Sequence, residues 1–182
     1  MKKIFITALL VSFTFTHMVN AENHYRPYIG TDVSFNKAKT RFIRPEYAGA
    51  IINLGTTYNT YFGTEIFYHQ TASSTKTYTG TKYKTSFRAY GLDAVITLPV
   101  YSKFDLNLNV GVGSYLFKEK LLGTHHGSDE GIGYRFGGSG VYHFTNRLAG
   151  RLCARYIKFN NISNLKHSAE YTVGARYYFT EN

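Results

Sequence analysis

Apolar and polar residues alternate along most of the chain, and the pattern is clearest in residues 168–179. One set of alternate positions is apolar or aromatic: Ala169, Tyr171, Val173, Ala175, Tyr177 and Phe179. The other set carries Glu170 and Arg176 among small polar residues. A period of two is that of a β-strand whose two faces meet different environments. Because charge lies among the small residues, we expect the apolar face to contact lipid and the polar face to line a barrel lumen.

The same alternation recurs often enough to predict eight strands. They cover residues 26–35, 47–58, 61–70, 83–100, 105–116, 131–144, 148–158 and 168–179. The connections alternate between long segments, at 36–46, 71–82, 118–130 and 159–167, and turns of two or three residues, at 59–60, 101–103 and 145–147. This order predicts an all-β, eight-stranded antiparallel up-and-down transmembrane barrel with short periplasmic turns and longer extracellular loops.

Residues 1–21 have the features of a secretory signal peptide. Lys2 and Lys3 precede an apolar stretch at residues 4–15, and Val19-Asn20-Ala21 offers a small-residue cleavage site. The apolar stretch is shorter than the roughly 18 residues that a spanning helix needs. We therefore expect an exported chain in which residues 22–182 form one outer-membrane barrel domain.

Composition fits an exported β-protein. The chain has 17 Tyr and 14 Phe but only 3 Pro, and its single cysteine, Cys153, cannot form an internal disulfide. We expect Cys153 to fill space in the lumen. The formal net charge is +10, yet export makes nucleic acid an unexpected partner.

Charged residues occupy many of the positions assigned to the lumen. Five acids and six arginines form the predicted ion-pair network: Arg26, Asp32, Glu65, Arg88, Asp93, Asp105, Arg135, Arg151, Arg155, Glu170 and Arg176. Arginine can bond one carboxylate through two N–H groups, and eight strands enclose an interior that side chains can fill. We expect the network to plug the barrel, and a narrow porin-like channel is the alternative.

A second group of charges lies in or beside the four predicted extracellular loops. Its eleven cations are Lys37, Lys39, Arg41, Arg44, Lys76, Lys82, Lys84, Lys118, Lys120, Lys158 and Lys166. Four acids oppose them there: Glu46, Glu119, Asp129 and Glu130. Cations at an outer-leaflet boundary would pair with lipopolysaccharide phosphates or with sulfated host polysaccharide. The alternative is a solvated loop surface without a partner.

Several of these patterns resemble one known family. The likeness is carried by Tyr90-Gly91-Leu92-Asp93-Ala94, by Gly111-Val112-Gly113, and by residues 134–142, 151–156 and 168–179. Over nearly its whole mature length the chain resembles the small eight-stranded outer-membrane barrels of the opacity-protein and OmpA/OmpX-like type, in the porin-family sense of a β-barrel domain. The resemblance implies a Gram-negative outer membrane, with membrane lipid and lipopolysaccharide as partners.

The last strand also resembles the terminal assembly signal of such barrels. Its apolar positions are Tyr171, Val173, Ala175, Tyr177 and Phe179. This likeness implies recognition of the strand by the barrel-assembly machinery.

Catalytic and metal sites have little support. His125-His126 and Asp129-Glu130 supply ligand types, but adjacent histidines on a loop rarely form a closed site, so we expect no metal and no cofactor. Lipid A deacylases of similar size carry a histidine before Ser-Asn near the last hairpin, whereas Ser163-Asn164 here has none before it. His69 and His143 are expected to pack in the lumen.

We therefore expect a monomeric, non-enzymatic envelope protein whose basic loops serve surface binding or adhesion. Anionic host polysaccharide or host protein are the candidate targets. The narrow channel stays as the first alternative and an outer-membrane hydrolase as the second.

Overall fold

The computed structural model of the chain describes residues 25–40, 44–78, 81–121, 125–162 and 165–180. The predicted signal peptide, residues 1–21, lies outside the described residues, and so do Arg41 and the Ser163-Asn164 pair. Within the described ranges no helix is long and apolar enough to cross a membrane.

Nine β-strands account for most of the described chain. They are β1 Arg26–Thr40, β2 Glu46–Thr57, β3 Phe62–Thr71, β4 Ser74–Tyr78, β5 Thr81–Tyr101, β6 Phe104–Leu121, β7 His125–His143, β8 Leu148–Asn160 and β9 Leu165–Tyr178. All pairings are antiparallel, and β1 pairs with β9 while β3 pairs with β5, so the sheet closes on itself. Strand β4 continues the line of β3 along β5 after an interruption at residues 72–73. Because β3 and β4 occupy one position in the wall, the barrel has eight strand positions. The predicted eight-stranded antiparallel barrel is confirmed.

Three strands are much longer than a bilayer requires. Strands β5, β6 and β7 have 21, 18 and 19 residues, whereas about 9–11 residues cross a membrane. Pairing of β6 with β7 continues to Leu121 opposite His125. The barrel wall therefore extends well beyond the lipid at the end opposite the tight turns, which is the predicted extracellular end.

The prediction of four long loops is wrong for most of their residues. Residues 36–40, 74–78, 118–121 and 125–130 lie in strands, where backbone hydrogen bonds to a neighbouring strand hold them. Beyond the membrane the outward face of a strand meets water and carries polar residues. The alternation that marks a lipid-facing strand is therefore absent from these segments.

Within the membrane-spanning part the alternation matches the observed faces. On β6, Leu106, Leu108 and Val110 are 45–59% exposed, whereas Asn107 and Asn109 are buried. A continuous belt of exposed aliphatic and aromatic side chains of this kind surrounds the barrel. Such a belt is unfavourable in water and suits the hydrocarbon of a bilayer.

The interior is apolar in its extracellular half, which the alternation alone does not predict. Twelve buried residues form this upper cluster: Ala38, Tyr47, Ile51, Phe67, Phe87, Ala89, Tyr115, Phe117, Ile157, Phe159, Ile162 and Leu165. Its rings meet edge to face, with centroids 5.3 Å apart for Tyr47 and Phe87 and 4.9 Å for Tyr115 and Phe159. A smaller lower cluster of Tyr28, Val141, Ala149 and Tyr178 lies toward the periplasmic end.

Phe87→Ala should lower the free energy of unfolding by about 3–5 kcal/mol, because it opens a cavity in a packed interior. Urea unfolding of the barrel in lipid vesicles measures this, with the mobility difference between unheated and heated samples on a gel as the readout. Phe136 carries the same side chain on the outward face, where it is 56% exposed. Phe136→Ala is the matched control and should cost much less, since lipid fills the space. Equal losses would contradict a packed upper cluster.

Candidate functional site

A layer of buried charge lies between the upper and lower clusters. It comprises four acids and four arginines: Asp32, Glu65, Asp93, Glu170, Arg135, Arg151, Arg155 and Arg176. We call it the ionic core. Each of these residues is at most 3% exposed, so the structure places eight of the eleven predicted network residues together. Charges at this depth are stable only when each has a partner of opposite sign.

Glu65 on β3 is the most highly connected residue of the ionic core. Arg151 donates two hydrogen bonds from Nη1 to its carboxylate, at 2.9 and 2.8 Å. Arg176 donates from Nη2 at 2.8 Å, and Nη2 of Arg155 lies 3.7 Å from Oε1. The hydroxyl of Tyr28 adds a hydrogen bond of 2.9 Å. One carboxylate thus joins side chains from β1, β8 and β9.

Asp32 and Asp93 extend the ionic core to either side of Glu65. Asp32 accepts hydrogen bonds from Arg151 and, at 2.7 Å, from Nδ2 of Asn53. A Cβ at Gly174, on the neighbouring strand, would overlap Oδ1 of Asp32, and Gly111 stands in the same relation to Asp93. Glycine at these two positions therefore provides the space that the buried carboxylates occupy.

Glu170 organises the upper part of the ionic core. It accepts hydrogen bonds from Nη1 of Arg155 at 2.8 Å and from Nη2 of Arg135 at 3.3 Å. Arg135 also lies 3.5 Å from Asp93, and its guanidinium carbon sits 3.6 Å from the ring centroid of Phe67. This cation–π contact joins the charged layer to the apolar cluster above it.

Ser34, His69 and Glu170 form a chain of polar contacts at the top of the ionic core. Oγ of Ser34 lies 2.8 Å from Nε2 of His69, and Nδ1 of His69 lies 3.2 Å from Oε2 of Glu170. Serine hydrolases use groups in this order, but here all three side chains are fully buried. His69 also packs edge-on against Phe87, with centroids 5.0 Å apart. The chain of contacts orients His69 beneath the upper cluster, where the serine does not meet solvent.

Sequence reasoning missed this chain of contacts. The alternation places Ser34 and His69 on inward faces, yet their contact depends on the register across β1, β2 and β3. Gly49 on β2 lies between them, and a Cβ there would come within 2.8 Å of the Ser34 hydroxyl. The inward glycine between an inward serine and an inward histidine was the one available signal.

Two predicted network residues lie at the periplasmic mouth, outside the ionic core. The guanidinium of Arg26 stacks over the ring of Tyr178, 4.1 Å from its centroid, and donates to the backbone oxygen of Asn146. Asp105 pairs with His143 at 2.8 Å, and both side chains are partly exposed. These contacts of Arg26 and Asp105 lie across the periplasmic mouth of the barrel, below the lower cluster.

The prediction that Arg88 faces the lumen is wrong. Arg88 is exposed and lies opposite Leu116 of β6 and Gln70 of β3. The inward positions here are Phe87 and Ala89, because the pairing of β5 with β6 runs without a bulge from Tyr83 to Pro99. Arg88 therefore shares its face with the lipid-contacting residues further down β5.

The predicted extracellular cations form an exposed rim. Ten of the eleven are described and all ten are exposed: Lys37, Lys39, Arg44, Lys76, Lys82, Lys84, Lys118, Lys120, Lys158 and Lys166. We call this set the cationic rim. Except for Arg44 they lie in strands and not in loops, which corrects the prediction and fixes their spacing. Lys37 is 4.0 Å from the exposed Glu46, a pair that contributes little to stability.

Four residues of the predicted assembly signal lie on the outward face of the last strand, and the fifth, Phe179, directly follows it. Tyr171, Val173, Ala175, Tyr177 and Phe179 are exposed. Strand β9 pairs with β8 on one side and with β1 on the other. It is therefore the strand that closes the barrel.

Glu65→Gln should lower the free energy of unfolding by about 3–5 kcal/mol, because it leaves buried arginines without their partner. Urea unfolding measures the loss, and Asp105→Asn at the partly exposed mouth is the control, with an expected cost of at most about 1 kcal/mol. Adding Arg176→Met to Glu65→Gln should cost less than the sum of the two single changes. Simple additivity would contradict a coupled network.

Comparison with known proteins relates this architecture to outer-membrane barrels. Neisserial surface protein A superposes with a TM-score of 0.70 at 18% identity, covering 83% of this chain and 96% of that one. Ail of Yersinia pestis, in complex with the heparin analogue sucrose octasulfate, gives 0.59 at 16% identity, with 87% and 100% covered. A major outer membrane protein of Thermus thermophilus gives 0.65 at 9% identity, with 86% and 100% covered.

No curated protein sequence matches the chain. A family model, however, covers almost its whole length. The outer membrane protein beta-barrel domain matches residues 5–181. The chain belongs to this family of β-barrel domains and is a protein of the Gram-negative outer membrane.

Proposed function

We propose that the protein is a non-enzymatic, monomeric envelope barrel that binds anionic polysaccharide through its cationic rim. The observation that carries the proposal is the exposure of ten cations at the predicted extracellular end, nine of which lie in paired strands. Ordered lysines present their charge without a large further loss of chain entropy on binding. Sulfate and carboxylate groups of a polysaccharide accept charge-assisted hydrogen bonds from them.

The chemistry of a known structure suggests which polysaccharide to use as a probe. Ail has been solved with the heparin analogue sucrose octasulfate. Its identity to this chain is 16%, so the likeness concerns the fold. Heparin nevertheless is a suitable probe, because dense sulfate matches a dense array of lysines in charge.

The packing of the interior favours a plugged barrel and argues against the alternative of a narrow channel. The ionic core is buried between an upper cluster of twelve residues and a lower cluster of four. An ion crossing this interior would have to separate buried ion pairs and then pass packed aromatic rings. Both steps cost far more free energy than conduction tolerates.

The interior also supports a role without catalysis. Ser34 is 0% exposed, and the acid that would orient His69 is shared with Arg135 and Arg155. A nucleophile needs access to its substrate as well as a base. The arrangement therefore serves as internal packing.

We expect a fluorophosphonate probe to leave Ser34 unlabelled in the folded barrel, because the upper cluster keeps the probe from the hydroxyl. Intact-protein mass spectrometry after incubation in detergent measures the labelling. A mass increase that disappears in Ser34→Ala, while the unheated gel mobility stays the same, would contradict the proposal and favour a hydrolase.

We expect folded barrel in detergent to bind heparin in a salt-dependent manner, since exposed charges are screened at high ionic strength. Changing Lys37, Lys39, Lys84, Lys118, Lys120 and Lys158 to Gln should weaken binding by more than about tenfold. Surface plasmon resonance with immobilised heparin measures this. Lys103→Gln, at the periplasmic β5–β6 turn, is the control and should bind as the unchanged protein does. Binding that survives loss of the six lysines would refute the proposal.

A further inference from the structure

Four cations of the cationic rim lie together on one part of the barrel wall, directly above Arg88. With Arg88 they make five cations on the outward faces of β5 and β6: Lys82, Lys84, Arg88, Lys118 and Lys120. We call this set the β5–β6 cationic wall. All five side chains are exposed and share the outward face with the lipid-contacting residues of the same strands.

The register brings charges of the same sign directly together. Lys84 lies opposite Lys120, and Lys118 lies opposite Ser86, which places Lys118 diagonal to Lys84. Directly opposed side chains have Cβ atoms about 4.5–5.5 Å apart, and like charges at such positions destabilise a sheet. No acid occurs at the outward positions of residues 82–90 and 114–120. The adjacent acid on β7, Glu130, accepts a hydrogen bond from Ser114 at 3.0 Å.

The opposite side of the barrel has a different arrangement. There Lys37 lies across from Glu46, and Lys39 and Lys158 both flank His167. Each of these three lysines has an acid or a histidine as a cross-strand neighbour, as Lys120 also has in His126 of β7, but none of the three lies opposite a second lysine. Among the described strands, two lysines lie directly opposite each other on β5 and β6, as Lys84 and Lys120. A bound anion would offset the repulsion between them.

The height of the β5–β6 cationic wall identifies the anion. Below Arg88 the outward residues of β5 are Tyr90, Leu92, Ala94, Ile96 and Leu98, and Leu116 lies opposite Arg88 on β6. Arg88 is therefore at the upper edge of the apolar belt. With a rise of about 3.3 Å per residue and a tilt of about 40°, Lys118 is roughly 5 Å and Lys84 roughly 10 Å above it. By this estimate these outward-facing cations would lie at the level of the lipid headgroups.

We propose that the β5–β6 cationic wall binds the phosphate groups of a lipopolysaccharide molecule lying beside the barrel in the outer leaflet. Arg88 contacts the phosphate nearest the acyl chains, where its planar group can form two hydrogen bonds. Lys84, Lys118 and Lys120 surround phosphate further from the membrane, and the bound anion removes the repulsion between the opposed lysines. The inference extends the proposed function, because the cationic rim would then hold the protein's own membrane as well as an external polysaccharide.

A pair of triple variants tests the location of the site. The wall variant carries Lys84→Gln, Lys118→Gln and Lys120→Gln. The control carries Lys37→Gln, Lys39→Gln and Lys158→Gln, and so loses the same charge from the opposite side. The probe is bisphosphorylated lipid A, with its dephosphorylated form for comparison, and native mass spectrometry of barrels released from detergent measures the bound fraction.

We expect the wall variant to bind bisphosphorylated lipid A on the order of a hundredfold more weakly, from a contribution of roughly fivefold per lysine near a membrane surface. The control should bind within about threefold of the unchanged protein. Dephosphorylated lipid A should bind the unchanged protein as weakly as the wall variant binds the phosphorylated form. Equal losses in both variants, or no effect of dephosphorylation, would overturn the proposal.

Two further measurements separate this site from alternatives. Phosphatidylglycerol or inorganic phosphate that displaces lipid A at equal concentration would overturn lipopolysaccharide as the source of the phosphate. Heparin binding of the unchanged protein is measured in parallel, so an unchanged protein that binds lipid A but not heparin refutes the proposed function alone. An unchanged protein that binds heparin but not lipid A refutes the lipid A site alone.

Stability provides a readout that a purely structural role would not give. In detergent without lipid A, Lys120→Gln should raise the unfolding temperature, because it removes the repulsion from Lys84. With bisphosphorylated lipid A present, the same variant should gain less stabilisation than the unchanged protein. A lowered unfolding temperature in both conditions would contradict the proposal.

Discussion

The structure depends on neutralising charge inside a closed barrel. Strands β1, β3 and β5 contribute three buried acids, whereas β7, β8 and β9 contribute four arginines and the acid Glu170. The first half of the chain therefore carries excess negative charge in its interior and the second half excess positive charge. Neither half can bury these groups alone without leaving charges unpaired. Closure through the β1–β9 and β3–β5 pairings joins the two halves, so the ionic core favours the complete barrel over any partly formed sheet.

The inward and outward faces of the wall have different roles: the inward face packs the interior, and the outward face meets the surroundings. Inward side chains form three layers that pack against one another inside the barrel. Outward side chains meet lipid below and carry cations above. Because strands, and not loops, hold most of those cations, their spacing is set by the ladder of backbone hydrogen bonds. A rigid charge pattern of this kind can discriminate between anions by the spacing of their charges.

Much of this architecture can be predicted from the alternation of residue types. The lipid-facing side of β6 and the inward positions of Glu65 and Arg151 follow from a period of two. Arg88 was misassigned because outward residues beyond the lipid are polar, so the polar–apolar contrast no longer tells the faces apart. The sequence predicts a loop at residues 118–130, where β6 and β7 in fact continue, for the same reason. The contact of Ser34 with His69 depends on register across three strands, which composition does not encode.

The upper cluster has a consequence for how the barrel relates to its membrane. Twelve residues pack there as they do in the core of a water-soluble protein, although the wall around them lies partly above the lipid. The lipid supplies an environment for the outward belt and takes no part in this packing. In this upper part the sequence therefore combines an apolar interior like that of a water-soluble β-barrel with a wall that continues the lipid-facing strands.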